Sequence, residues 1–377
     1  MQTEVMKMFG LKAPIFAFSH CRDVVAAVSR AGGLGALGTS RESVSELEVM
    51  LNWIDDHIDD EPYGVDVVFP SKAPKEFETM SAKEVIGLIP QTHWDFVEDV
   101  LREYGVPPHT KEEKEEAIET FIKEQFRTHA QAEARLDVVY QHPKARLIVS
   151  ALGVPPQRQI DRAHELGLKV AALVGHPKHV KYHKAAGIDI LISAGYEAGG
   201  HTGDIATFVL TPQIADAAAP TPVLHAGGVM RGRQIAAALA LGAQGVWTGT
   251  IWLGTAEAET TLLEKELMYA ATSGDTKRTR CGSGKPVRRY LGGFVRAWES
   301  EGAPKPLPTP LQAVLMEQAF KRMKRYEVAD LYSPPCGQGV GMMEAQTDVR
   351  SVFRDLLTEY GETLETMTAA FDEMTGT

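Results

Sequence analysis

The residues best suited to chemistry stand in one short run, Gly195-Tyr196-Glu197-Ala198-Gly199-Gly200-His201-Thr202-Gly203-Asp204. Four glycines within nine residues let a backbone approach a ligand closely and take positive φ. His201 stands alone among them. An imidazole in that setting can donate a hydrogen bond or take a proton near neutral pH; the bland alternative is a loop histidine bonded to its neighbours. Glu197 suits a brace on backbone N–H groups better than a catalytic carboxylate. Two further glycine signals, Ala226-Gly227-Gly228 and Gly249-Thr250, each follow an apolar run. N–H groups bared by glycine, at a helix start, can hold a phosphate dianion, and the Thr250 hydroxyl adds a donor. An ordinary strand-to-helix turn uses glycine too. Arg231 and Arg233 flank the helix start and read as solvated surface cations.

Other candidates carry less. The run Ala31-Gly32-Gly33-Leu34-Gly35-Ala36-Leu37-Gly38 follows a helical segment and precedes a strand, the reverse of the dinucleotide-binding order. It reads as helix termination and tight packing. His20 and Cys21 follow the first apolar run and His225 ends a later one. No compact ligand spacing joins them, so no metal site is expected. Cys21 is not expected to be a nucleophile; His20 is a candidate neighbour of the substrate.

These groups need strands to hold them. Eight apolar runs qualify: Pro14–Phe18, Leu34–Leu37, Tyr63–Phe69, Arg146–Ser150, Lys169–Val174, Asp189–Ala194, Pro222–Ala226 and Gly245–Thr248. Several are apolar throughout, as parallel strands covered on both faces should be. Helical segments such as Arg22–Arg30, Pro156–Leu166, Pro177–Ala186 and Gly232–Leu241 lie between them. The pattern predicts an α/β fold, a (β/α)8 TIM barrel, with a doubly wound open sheet as the alternative. Residues 1–70 and 146–256 would form the barrel. A helical insertion, 71–145, follows strand three, with Ile118, Phe121, Ile122 and Phe126 at helical spacing. It would sit over the active-site end, as a stabilising bundle or as a lid. A mostly helical extension, 257–377, would pack on the barrel. Barrel chemistry gathers at the C-terminal ends of strands, with phosphate loops often after strands seven and eight. The two glycine pairs fall there, and His201 follows strand six.

Composition narrows the partners. The 377 residues carry a formal net charge of −11, which argues against nucleic acid or an anionic membrane. No apolar run is long enough to span a bilayer, and Met1–Met8 lacks a signal-peptide layout. The 3 cysteines, Cys21, Cys281 and Cys336, form no paired spacing, and a reducing cytoplasm is the simple expectation. A small-molecule substrate follows; a homodimer stays open.

Taken in order, Pro14-Ile15, Ala31–Gly38, Tyr63-Gly64-Val65-Asp66, Glu197–Gly203, Ala226-Gly227-Gly228 and Gly249-Thr250 resemble the nitronate monooxygenase (2-nitropropane dioxygenase-like) family of FMN-dependent barrels. The resemblance covers at least residues 10 to 260. It implies that Gly227, Gly228, Gly249 and Thr250 hold the FMN phosphate. Ala17, Phe18 and Ser19 would line the isoalloxazine edge; Gly199 and Gly200 would lie along the cofactor, with Gly203 and Ala226 in the same wall. His201 would face the substrate, and FMN would carry the redox chemistry. The implied reaction oxidises an alkyl nitronate with O₂ to a carbonyl compound and nitrite. Three positions depart from the family: Ala194 where glutamine is frequent, Asp66 where asparagine is common, and Ala17-Phe18-Ser19-His20 in place of Ala-Pro-Met. A second expectation keeps the flavin but takes electrons from NADH or NADPH to reduce a quinone or enoyl thioester. It is motivated by the basic stretch Lys277, Arg278, Arg280, Lys285, Arg288 and Arg289. A third is a non-flavin phosphate-binding isomerase or aldolase.

Overall fold

The structure is a computed structural model and describes residues 2–39, 42–69, 80–124 and 129–376. Its strands are β1 Ile15–Ser19, β2 Leu34–Gly38, β3 Tyr63–Asp66, β4 Ala145–Ser150, β5 Lys169–Val174, β6 Ile190–Ala194, β7 Gly200–His201, β8 Val223–Ala226, β9 Gly245–Thr248, β10 Thr276–Thr279 and β11 Val287–Tyr290. Eight of them close a parallel barrel in the order β1-β2-β3-β4-β5-β6-β8-β9, with β9 pairing back onto β1. The fold is the (β/α)8 barrel, not the open sheet. Each barrel strand falls on one of the eight apolar runs. The third is shorter than expected, ending at Asp66 rather than Phe69.

Side chains alternate between two surroundings, as the two-residue period of a strand requires. Phe16, Leu34, Ala36, Leu147, Ile190 and Leu224 fill the barrel interior. Val65, Ile148, Val170, Leu191 and Val223 face the surrounding helices. The early glycine run does packing work. Gly32, at φ +100°, ends helix Arg22–Ala31. A Cβ on Gly35 would collide with the Val25 backbone, and one on Gly33 would stand 2.6 Å from the Ile15 carbonyl oxygen.

The segment after β3 and the C-terminal extension build one helical body. Helices Ala82–Gly87, Gln91–Glu103 and Lys111–Glu124 share an apolar core with Gly293–Trp298 and Leu311–Arg325, through Trp94, Leu101, Ile118, Phe294 and Leu315. Phe121 and Ile122 pack against it; Phe126 lies outside the described residues. Arg322, fully buried, ties the two segments by donating to Glu98 Oε1 at 2.6 Å and to the Pro107 carbonyl at 2.8 Å. Helix His129–Val139 joins the barrel layer instead, on helix Val44–His57.

Two features of the extension depart from a plain helical tail. Thr276–Tyr290, basic and glycine-containing in sequence, is an antiparallel hairpin of β10 and β11. The last helix, Val349–Thr375, begins on the barrel. Its buried Val349, Val352, Phe353 and Leu356 cover helices Arg22–Ala31 and Gly232–Ala240, the flank beside β9 and β1. No helix among the described residues is long and apolar enough to cross a membrane.

Candidate active site

The loop after β6 is held as part of a second sheet. Its two-residue strand β7 pairs antiparallel with β11, setting His201 opposite Val287 and Gly200 opposite Arg288. Two hairpin arginines grip the loop on either side of His201. Arg288, 2 % exposed, donates through Nε to the Tyr196 carbonyl at 2.9 Å and through Nη1 to Thr276 Oγ1 at 3.0 Å. Its guanidinium carbon lies 4.4 Å over the Tyr196 ring. Arg278 donates to the Thr202 carbonyl at 3.1 Å and pairs with Asp204. The rest of the basic stretch also finds partners within the chain: exposed Lys277 pairs with Glu299, and exposed Arg280 donates to the Gly284 carbonyl.

His201 is half-buried, with Nδ1 3.1 Å from the Pro286 carbonyl oxygen. A carbonyl only accepts, so Nδ1 carries the hydrogen of that bond. In the neutral ring, Nε2 is then the basic nitrogen. Glu197 braces the loop. Its two carboxylate oxygens accept from the Thr207 N–H at 3.1 and 2.9 Å, at the start of helix Thr207–Ala218. Its own carbonyl accepts from Gln338 N–H at 3.0 Å.

The glycines divide by what a side chain would meet. At Gly199 a Cβ would lie 2.8 Å from the Cys336 and Gly337 backbone, and at Gly203 2.6 Å from the Gly175 carbonyl oxygen. At Gly195 and Gly227 it would collide with the Thr207 hydroxyl. These four let segments of protein touch. Gly200, at φ +76°, has nothing within 4 Å of its missing Cβ, nor has Gly249. Gly228, at φ +71°, meets only Glu197 Cγ, at 3.4 Å. Among the described residues, the N–H groups of Gly228, Val229, Gly249 and Thr250 donate to no protein acceptor. Unspent donors on adjacent loops at the C-terminal ends of β8 and β9 suit a phosphate, so the residues fit a phosphate-bearing cofactor. The Thr250 hydroxyl accepts from Gly337 N–H at 2.8 Å, which leaves its own hydrogen to donate. The helix start beyond Gly228 is not part of this cradle, because Gly232 N–H donates to Glu359 Oε2 at 2.6 Å. Arg231 and Arg233 pair with Glu344 and Glu359 instead.

Phe18, Ala194, Ala226 and Trp247 belong to the cluster inside the barrel. Asp66 shares that inner face, two residues after Gly64, whose Cβ would meet Leu147 and Leu34; it is buried. Ala17 and Ser19 point the other way. Ala17 packs among Val24, Val28 and Val246, and Ser19 Oγ accepts from Cys21 N–H at 3.1 Å. Only the backbone of those two residues can reach the mouth. Trp247, its ring centroid 6.1 Å from that of Phe18, escaped the sequence reading. It sits two residues from Gly245, on the inward side of an expected strand, so alternation could have found it.

The remaining candidates resolve into structural roles or margins. His225 faces outward and its Nδ1 lies 2.9 Å from Thr211 Oγ1. Burial pushes its pKa down to about 4, so it is neutral at pH 7 and does not join His201. Cys21 donates to the Glu257 carbonyl at 3.0 Å, and burial raises its pKa, which leaves an inert thiol. One ligand atom each of Cys21, Asp23 and Glu259 lies within 4.8 Å of the others, on the flank rather than in the mouth. His20 stands at the rim, exposed, with Nδ1 2.9 Å from the Gly38 carbonyl oxygen.

A closed barrel with unspent N–H donors after β8 and β9, and a histidine-bearing strand beside them, defines a flavin-dependent oxidoreductase of the TIM-barrel class once its relatives are considered. The sequence matches the nitronate monooxygenase family over residues 3–359. The chain belongs to that family. It is 43% identical over 371 residues, covering 97% of this chain and 98% of its relative, to Rv1533, a Mycobacterium tuberculosis protein named for monooxygenase activity. A Staphylococcus saprophyticus protein named for nitronate monooxygenase activity is 28% identical, with 85% and 88% of the two chains covered. The nitroalkane oxidase of Streptomyces ansochromogenes superposes with a TM-score of 0.78 at 24% identity, over 96% of this chain and 99% of that one. FabK of Thermotoga maritima does so at 0.73 and 24%, over 98% and 99%. At these identities the structural likeness speaks for the fold.

Proposed function

We propose that the protein is an FMN-dependent nitronate monooxygenase, converting an alkyl nitronate and O₂ to a carbonyl compound and nitrite. The observation that carries this reading is His201, pinned by β11 beside two loops whose glycine N–H groups have no protein acceptor. Gly227, Gly228, Gly249 and Thr250 would hold the FMN phosphate. Phe18, Asp66, Ala194 and Ala226 would line the place of the ring, and Gly199, Gly200 and Gly203 support the wall that carries His201. FMN, when bound, supplies the redox chemistry.

The role of His201 follows from its tautomer. Neutral, with hydrogen on Nδ1, it can take a proton at Nε2 from the carbon beside a nitro group. Doubly protonated, it can donate from Nε2 to an oxygen of a nitronate anion. One side chain can thus serve the neutral and the anionic form of the substrate at different pH. Buried Asp66, if ionised, would repel negative charge gathering in the mouth. The free thiols of Cys21, Cys281 and Cys336 suit a reducing cytoplasm.

The test is the visible spectrum of the purified protein, followed by chromatography of the released cofactor and anaerobic mixing with a nitronate, NADH or NADPH in turn. A yellow protein that releases FMN and is bleached by nitronate alone supports the proposal. Bleaching by NADH or NADPH, with no nitronate turnover, replaces it with the reductase. A colourless protein that stays colourless with FMN added replaces both with a non-flavin barrel.

A further inference from the structure

The last helix carries an apolar seam that outruns the body it packs on. Leu357, Tyr360, Leu364, Met367, Phe371 and Met374 follow a three-four spacing, the a/d pattern of a helix that seats against a partner. Leu357 and Tyr360 are covered by the barrel flank. Farther along the seam is bare: Met367 is 53% exposed, Phe371 58% and Met374 77%. No lysine or arginine follows Arg354, while Glu362, Glu365 and Glu373 stand exposed around the seam. Two such helices laid side by side would repel, so the seat has to be basic as well as apolar.

This chain presents such a face. Helices Val180–Ala185 and Thr207–Ala218 pack together on the barrel flank. They leave Tyr182 59%, Phe208 68% and Val209 51% exposed. Lys178 and Lys181 stand exposed beside them, and neither has a carboxylate within 4.0 Å among the described residues. We propose that the seam from Leu364 to Met374 docks on the Lys178, Lys181, Tyr182, Phe208 and Val209 face of a second copy of this chain. Apolar side chains meet apolar side chains, and the seam's carboxylates meet lysines without a carboxylate partner, Lys181 lying over the Tyr182 ring at 5.0 Å. The seam from Leu364 to Met374 is about 16 Å long and ~10 Å across. Used reciprocally by two copies, it covers on the order of 650 Å² of total surface, in the range of weak, transient encounters. The dimer is therefore concentration-dependent and weakened by salt.

Sedimentation of the full chain from 1 to 200 μM tests this. Wild type is expected to shift from monomer to dimer across that range, with the midpoint moving at least several-fold higher in 0.5 M salt. The pair Phe371→Glu, Met374→Glu should be monomeric throughout with an unchanged melting temperature, because both side chains are exposed. The pair Lys178→Glu, Lys181→Glu should also be monomeric alone. Mixed with Glu365→Lys, Glu373→Lys it should recover association. A wild type monomeric at 200 μM overturns the proposal. So does a dimer that survives Phe371→Glu, Met374→Glu, and so does one lost in that variant but indifferent to the lysine changes, which moves the seat elsewhere.

Discussion

The loop after β6 and the loops after β8 and β9 meet at one barrel mouth, yet they spend their glycines differently. In the first, Gly195, Gly199 and Gly203 make room for protein: helix Thr207–Ala218, the Cys336–Gly337 backbone and the loop after β5. In the others, Gly228 and Gly249 leave N–H groups without protein acceptors. The conspicuous motif is thus mainly a device for seating a strand that carries His201. In the less conspicuous glycine signals, Gly228 and Gly249 are the positions left open for the proposed phosphate.

The comparison breaks most visibly at His201. His201→Ala should cut turnover by at least about 100-fold while the flavin spectrum is retained. Loss of flavin, or turnover unchanged, would remove His201 from its role. In wild type, kcat/KM should rise with pH for a neutral nitroalkane and fall with pH for a preformed nitronate, because each needs the opposite protonation state of Nε2. Parallel profiles would count against the tautomer argument.

Behind the mouth, His225 offers a contrast that touches stability alone. Its folded pKa of about 4 lies below the ordinary value of 6.5, so the unfolded chain takes the proton first. Its contribution is whole above pH 6.5 and is lost as pH falls toward 4, a drop of about 3 kcal/mol. Denaturant unfolding at stepped pH should show that slope in wild type and a flatter one in His225→Asn. Equal slopes would mean His225 is not neutral when folded.

Two glycine substitutions separate the loops directly. Gly199→Ala sets a methyl against the Cys336–Gly337 backbone and should cost about 1–3 kcal/mol of stability, read as a lower melting temperature. Gly249→Ala places its methyl in open space. It should leave melting of the apoprotein unchanged within about 0.5 kcal/mol but weaken flavin binding by about tenfold, or 1.4 kcal/mol. The opposite pattern would exchange the functions given to the two loops. Smallest of all, Arg231→Ala removes only an exposed pair with Glu344. Flavin titration should find affinity unchanged within about twofold, or ~0.4 kcal/mol; a larger loss would bring Arg231 into the cradle.

The barrel was legible because parallel strands covered on both faces must be apolar nearly throughout, as Ile190–Ala194 and Lys169–Val174 are. The same two-residue period that puts Phe18 inside puts Ala17 and Ser19 outside, so those two could line a flavin edge through their backbone alone. The hairpin was not legible. Thr276–Thr279 and Val287–Tyr290 read TKRT and VRRY, with charges where a strand finder looks for apolar alternation. Their partner, Gly200–His201, is a two-residue strand far away in sequence. Nor did local pattern show that Ile118 and Leu315 would share a core.

The last helix covers the barrel flank with Val349, Val352, Phe353 and Leu356, although β9 closes the barrel at Gly245–Thr248. During synthesis, at about 5–20 residues per second, that cover emerges on the order of ten seconds after the strand it serves. Until then Val24, Val28 and Ile235 have no lid of their own, and a nascent barrel shows the ribosome's surroundings a greasy seam. The order of translation therefore leaves this flank open to a folding chaperone until the last helix arrives.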